Sequence, residues 1–311
     1  MKRQLVAYKG LEIIPEPEWE GLVEELICHK GVAFLIGATD SGKSTLVRYL
    51  IEKLITKNIV PSLVDSDIGQ SSLGLPGTIS TKIFKTTRDI EDFSAEEVFF
   101  VGSLNPARKI SMMIEGTRKM VGNVRADSEI VLIDTTGLIQ GEAGKALKIG
   151  KVKTIRPEHI IAIQRHNELE HILTSLADIN IHGALSKKCS IHRVNASRMA
   201  KGRNREARIR YRRERFNEYF EEKKVNEFLL YNVGLFYNGK PFRPKGMDFM
   251  EHHFNSAPFK EGTLIGLNHN EDTMALGILL ELDSNSITFK SPIKSVRGIN
   301  RVVLGDINIY N

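Results

Sequence analysis

The stretch GVAFLIGATDSGKST, residues 31–45, decides the fold. Its first half, Gly31 to Ile36, is a short apolar run rich in strand formers, and it ends in a glycine-rich turn. The residues that follow, LVRYLIEKLITK, carry apolar side chains at helical spacing. The reading is strand, loop, helix. The loop itself, Gly37-Ala38-Thr39-Asp40-Ser41-Gly42-Lys43-Ser44-Thr45, matches G-x-x-x-x-G-K-[ST]. In such a loop, backbone N–H groups at a helix N-terminus surround phosphate oxygens and the helix dipole favours their charge. Gly37, Thr39, Asp40, Ser41, Gly42, Lys43, Ser44 and Thr45 are therefore the expected nucleotide-binding set. Lys43 would reach the β- and γ-phosphates, and Ser44 would ligate Mg²⁺.

Outward from this loop, Ile59 to Val64 and Ile130 to Ile133 read as buried strands that each end at an acidic residue, and His159 to Ile163 as another. Buried strands alternating with helices predict an α/β fold, a P-loop-type parallel sheet flanked by helices, with ligands at the carboxyl ends of the strands. The core is expected over residues 1–183, with 1–12 a short extension. The second strand ends in Asp65-Ser66-Asp67-Ile68-Gly69-Gln70, which places two carboxylates on one face beside the loop. One could hold the Mg²⁺ shell and the other accept a proton from an attacking hydroxyl. The third strand ends in Asp134-Thr135-Thr136-Gly137, where Asp134 is placed to sense Mg²⁺ and the γ-phosphate. No N-K-x-D guanine-selecting motif follows: Asn167-Glu168-Leu169-Glu170 and Asn180-Ile181-His182-Gly183 do not match.

The 311 residues, 41% of them hydrophobic, can fill a sizeable core, and the net charge of +6 suits a phosphate-rich partner. That charge is concentrated. Between Lys187 and Arg215 the only acids are Glu206 and Glu214. Residues 184–224 are read as a basic helical lid, with one charged helix over Arg203 to Phe220. Arg208 and Arg212 share a face, and like charges this dense repel unless a polyanion is the intended partner. Residues 225–311 alternate short β-rich runs with turns and are read as a small β-rich domain. Cys28 and Cys189 have no metal-site or disulfide spacing, and neither His166/His171 nor His252-His253 forms a metal pattern. Without an apolar run near about 20 residues or a secretory leader, a cytoplasmic protein off the membrane is expected.

Taken together, GATDSGKST, DSDIGQSSLGLPGTIS, VGSLNP, IDTTGLIQGEAGKALK and the Arg-rich segment ending NEYF resemble the polynucleotide 5′-hydroxyl kinase family. That family includes archaeal RNA kinases and the kinases of eukaryotic tRNA, mRNA 3′-end and ribosomal-RNA processing. The resemblance implies Mg²⁺-dependent transfer of the γ-phosphate of ATP, or GTP, to the 5′-OH end of RNA or DNA. It implies Asp67 as general base, Gln70 near the terminal nucleotide, and Thr135, Thr136 and Gly137 as the clasp on the substrate's 5′ end. Lys43, Asp67, Arg208 and Arg212 are then the expected catalytic residues, and Ser44, Asp65 and Asp134 the expected metal-site residues. Eukaryotic members often place a tryptophan after the clasp glycine, where this chain has Leu138.

Two other classes compete. A kinase-inactive, nucleotide-gated nucleic-acid-binding or scaffold protein of RNA processing would not need the Gly42-Lys43-Ser44, Asp67 and Arg208/Arg212 set intact. A small-molecule kinase or GTP switch explains neither the basic lid nor D-x-D-x-G-Q.

Overall fold

The computed structural model describes residues 13–181, 189–197, 200, 202, 204–243 and 259–310. In chain order come α1 (Trp19–Cys28), β1 (Gly31–Gly37), α2 (Lys43–Thr56), β2 (Pro61–Ser66), β3 (Thr78–Ile83), α3 (Thr87–Glu91) and β4 (Glu97–Phe100). Then follow α4 (Ile110–Val124), β5 (Ile130–Thr135), α5 (Gly141–Ile155), β6 (His159–Gln164), α6 (Glu170–Ile181) and β7 (Ser190–Asn195). Strands β2, β5, β1, β6 and β7 lie side by side in that order and run parallel. Helices cover both faces, so the central strands must be apolar on both sides. Alternation sorts them. Ala33 and Leu35 of β1 and Ile130 and Leu132 of β5 pack with α1 and α2, whereas Val32, Phe34, Val131 and Ile133 pack with α4, α5 and α6. Phe34 is fully buried, and cutting it to alanine would cost about 3–5 kcal/mol.

The sheet continues beyond its parallel part. β3 pairs antiparallel with β2 and β4 with β3, and a carboxy-terminal strand joins β4 at Thr273↔Val98. This is how the carboxy-terminal strands attach: β8 (Lys224–Leu229), β9 (Gly234–Tyr237), β10 (Lys240–Pro241), β11 (Thr263–His269), β12 (Asp272–Leu282), β13 (Ser286–Ser291) and β14 (Arg301–Asn308). They enclose their own apolar cluster around Leu235, Ile265, Leu279, Phe289 and Val302, as expected of a β-rich carboxy-terminal part.

The basic segment departs from its expected form. Ser190–Asn195, assigned by sequence to the lid, is strand β7, bonded in register to β6 from His159↔Ser190 to Gln164↔Asn195. Among the described residues of that segment only α7 (Arg205–Tyr219) is an α-helix, opened by Asn204, whose side chain accepts from the Ala207 N–H. Phe216 and Phe220 anchor it against Phe100, Leu264, Leu276 and Ile307, and the Leu276 N–H donates to the Tyr219 hydroxyl at 2.9 Å. Lys187 and Lys188, the amino-terminal residues 1–12 and His252-His253 lie outside the described residues. Among the described residues no helix is long and apolar enough to cross a membrane.

Candidate active site

At the end of β1 the chain passes through Asp40 and Gly42, both at positive φ (57° and 92°), and α2 begins at Lys43. Lys43 Nζ donates to the carbonyls of Gly37 at 3.0 Å and Ala38 at 2.7 Å. Burial holds its pKa below the ordinary ammonium value against the pull of Asp134 and Asp67. Ser44 Oγ donates to Asp134 Oδ2 at 2.6 Å, while Asp134 Oδ1 is buried without a partner among the described residues. Burial, and after it the charge of Asp65, pushes the Asp134 carboxyl up to about 7. A hydroxyl beside a carboxylate with one oxygen unused fits Mg²⁺, which takes few protein ligands and completes its octahedron with phosphates and water.

Asp65 of β2 and Asp67 just after it separate in role. Asp65 is completely buried, and its Oδ2 accepts from Ser71 Oγ (2.9 Å), Ser72 N (2.6 Å), Ser72 Oγ (3.2 Å) and Leu73 N (3.0 Å). Its Oδ1 accepts from Asp67 N at 3.0 Å. Both oxygens are committed to folding the 67–73 loop back on the strand, which corrects the expectation that Asp65 ligates metal. Asp67 is half-buried; its Oδ1 accepts from the N–H groups of Gly69 (3.0 Å) and Gln70 (3.1 Å), and its second oxygen bonds no described residue. Gln70 lies half-buried in the same loop.

The turn after β5 is held from beneath. Thr135 Oγ1 donates to Leu35 O at 2.7 Å and accepts from Lys148 Nζ at 2.7 Å, and Lys148 also donates to Thr136 O at 2.6 Å. Thr135 is wholly buried, so its hydroxyl supports the turn and cannot meet a substrate, against expectation. Gly137 touches the phosphate loop: a Cβ there would fall 2.5 Å from Thr39 N, so only glycine fits. Leu138 packs on the apolar cluster under α5 and α6.

Lys148 and Lys151 escaped the sequence reading. Both are fully buried on α5, and Lys151 donates to Ser66 Oγ between the two acids of β2. Burial pushes Lys148 well below the ordinary ammonium value, with Lys151 and Lys43 adding to the effect, and pushes Lys151 down to about 7. The only trace in sequence is that they fall on the stripe of Leu147, Val152 and Ile155.

Helix α7 lies across both loops. Arg208 Nη2 meets Asp40 Oδ2 at 2.5 Å, Tyr211 OH donates to Ser71 O at 2.7 Å, and Arg215 Nη2 donates to Gly74 O at 2.6 Å. Arg212 is half-buried without a bonded acceptor among the described residues, and burial together with Arg208 lowers its pKa. Arg193, within the 184–224 segment read as the lid, is on β7, bonded to Glu170 through Nε and Nη2. Beside the phosphate loop a cleft of about 500 Å³ is lined by Glu16, Glu18, Gln164, Arg165, Asn195 and Ser197. Arg165 Nη2 donates to Asp40 O at 2.8 Å, tying the cleft to the loop.

The chain is similar to known proteins. The chain is 34% identical over 226 residues to a polyribonucleotide 5′-hydroxyl-kinase of Pyrococcus horikoshii, covering 71% of this chain and 59% of that one. It is 33% identical over 231 residues to a namesake from Methanocaldococcus jannaschii, covering 74% and 60%. It thus spans about three fifths of the length of these relatives. A solved Clp1p–Pcf11p complex superposes with a TM-score of 0.67 at 10% identity, over 93% of this chain and 78% of that one, a likeness of fold. Residues 37–222, from the end of β1 to just past α7, match the family model described as mRNA cleavage and polyadenylation factor CLP1 P-loop, and the chain belongs to that family.

Proposed function

We propose that this chain is a polynucleotide 5′-hydroxyl kinase that moves the γ-phosphate of ATP to the 5′-OH end of RNA. The observation that carries the reading is the position of α7, which holds Asp40 of the phosphate loop through Arg208 and the acid-bearing loop through Tyr211 and Arg215. Donor and acceptor sites thus share one cover. The relatives' names supply the acceptor class.

In this reading Lys43 exchanges the carbonyls of Gly37 and Ala38 for β- and γ-phosphate oxygens. Ser44 and Asp134 would hold Mg²⁺, which neutralises phosphate charge. The 5′-hydroxyl oxygen, placed by Gln70 and the Gly137 turn, attacks the γ-phosphorus as its proton passes to the second oxygen of Asp67. The bond from the γ-phosphorus to the β–γ bridging oxygen breaks, and ADP leaves. Arg208 and Arg212 stabilise the charge that builds on the transferring group. The nucleoside occupies the cleft lined by Gln164, Arg165 and Asn195, and the compartment is the cytosol.

The test is incubation of pure protein with Mg²⁺, γ-labelled ATP or GTP and 5′-OH oligonucleotides of RNA and DNA. Label transfer to 5′-OH RNA, abolished by Lys43→Ala, is expected. Tight ATP binding with no transfer to any oligonucleotide would assign the chain to the scaffold class.

A further inference from the structure

A second cleft, of about 550 Å³, lies where the parallel core meets the carboxy-terminal strands. Its walls include Arg108, Lys109, Tyr237, Phe259, Lys260 and Asp306. Lys109 is buried and paired with Asp306 at 3.0 Å, and Tyr237 OH donates to the same carboxylate at 2.8 Å. That leaves Arg108 and Lys260, both exposed and with no acid partner among the described residues, as surplus charge. Among the residues lining the cleft, Arg108, Lys109 and Lys260 against Asp306 sum to +2. Tyr237 and Phe259 stand edge to face at 5.0 Å, half-buried in the wall.

The cleft is connected to the acceptor loop by a short stretch of chain. The Gly102 N–H donates to Gly77 O and Gly77 N–H to Ile68 O, so this segment starts against the loop that carries Gln70. The Leu104 carbonyl sits 3.8 Å from where a Cβ on Gly69 would be. From Leu104 the chain passes Asn105, which caps the single 3₁₀ turn Pro106–Arg108, and reaches the cleft. Arg108 lies four residues on from Leu104, at most about 14 Å along the chain.

We infer that this cleft is a subsite for a downstream nucleotide of the single-stranded acceptor, resting on the kinase reading above. Arg108 and Lys260 take the phosphodiester, and the Tyr237–Phe259 wall takes the base. Unspecific single-strand binding has this composition: cations that follow the backbone and aromatic rings on which bases stack. The buried Lys109–Asp306–Tyr237 set keeps the ring from turning and joins the two halves of the cleft.

The experiment compares wild type with the surface double variant Arg108→Glu/Lys260→Glu on 5′-OH oligoribonucleotides, a dinucleotide and one of about twelve nucleotides, across a salt series. For the longer substrate KM should rise at least about tenfold with kcat unchanged, whereas the dinucleotide kinetics stay as in wild type. The slope of log affinity against log salt should become shallower by about 0.7, one phosphate contact on a single strand. Equal effects on both substrates, or none, overturn the subsite; an unaffected variant would point to a protein-docking face. Direct binding of a fluorescent oligoribonucleotide is measured in parallel. If wild type transfers no phosphate, the kinase reading falls, and the subsite is still decided by whether the variant loses binding.

Discussion

Asp65→Asn separates a folding role from a metal role. The carboxylate accepts four hydrogen bonds at Oδ2 and one at Oδ1, all from residues 67–73. Asparagine does best by keeping its carbonyl at the Oδ2 position and setting its NH₂ against the Asp67 N–H, donor facing donor. That leaves one buried N–H unsatisfied, about 1–3 kcal/mol, and removes charge assistance from the four bonds that remain. Burial, then the charge of Asp67, raises the Asp65 pKa, so neutralising the group returns part of the loss. A net destabilisation of about 2–4 kcal/mol follows, which for a chain of this size lowers Tm by roughly 3–6 °C. Thermal unfolding measures it. In kinase assays below the melting range, KM for the oligonucleotide should rise because the loop bearing Asp67 and Gln70 is loosened, while the Mg²⁺ concentration for half-maximal rate stays put. An unchanged Tm with a Mg²⁺ requirement raised tenfold would mean that Asp65 is a metal ligand after all.

Asp67→Asn should keep ATP affinity and lose most transfer, since the amide keeps the turn to Gly69 and Gln70 yet cannot take the hydroxyl proton; isothermal titration beside single-turnover kinetics reads both. Lys151 drops from 10.5 to about 7 on folding, so between those values the unfolded chain binds more protons and wild type gains stability as pH rises. Lys151→Met lacks that gain, and the Tm difference should move in favour of wild type from about pH 6.5 to about pH 9.5; a parallel pair of curves refutes it. Arg212→Ala should depress kcat by on the order of 10³ while ATP affinity changes by less than about tenfold. Lost ATP binding with a normal maximal rate would make Arg212 a ground-state nucleotide ligand.

The parallel core was legible because its physics is severe. A strand covered on both faces has no place for polar side chains, so GVAFLI and IVLI stand out against any background. β3, TISTKI, is almost as buried and gave no such signal, because it is rich in hydroxyls, of which Thr78 Oγ1 donates to Leu75 O and Thr81 Oγ1 to Leu63 O. β7 hid inside the basic run for a related reason. It is an edge strand whose Arg193 is neutralised by Glu170 on α6, a partner that only the folded chain brings near.

The site divides along the same line. Glycine spacing announces a phosphate loop since the backbone conformation there admits few residues, and Ser44 of that loop is hydrogen-bonded to Asp134 at the end of β5. Alternation could place Asp65 and Asp67 on one face and could not rank them, for the ranking depends on Ser71, Ser72 and Leu73 returning to one carboxylate. Lysines on a helix are ordinarily read as snorkelling to water, which is why Lys148 and Lys151 went unnoticed. Their burial follows from the acids. Asp65, Asp67 and Asp134 crowd the carboxyl ends of β2 and β5, and such a cluster is tolerable away from water only with cations beside it. Lys43 supplies one from above, but it must also be free to serve a nucleotide. Lys148 and Lys151, both lowered in pKa by burial, supply hydrogen-bond donors from beneath and, by holding Thr135, Thr136 and Ser66, fix the turns after β2 and β5.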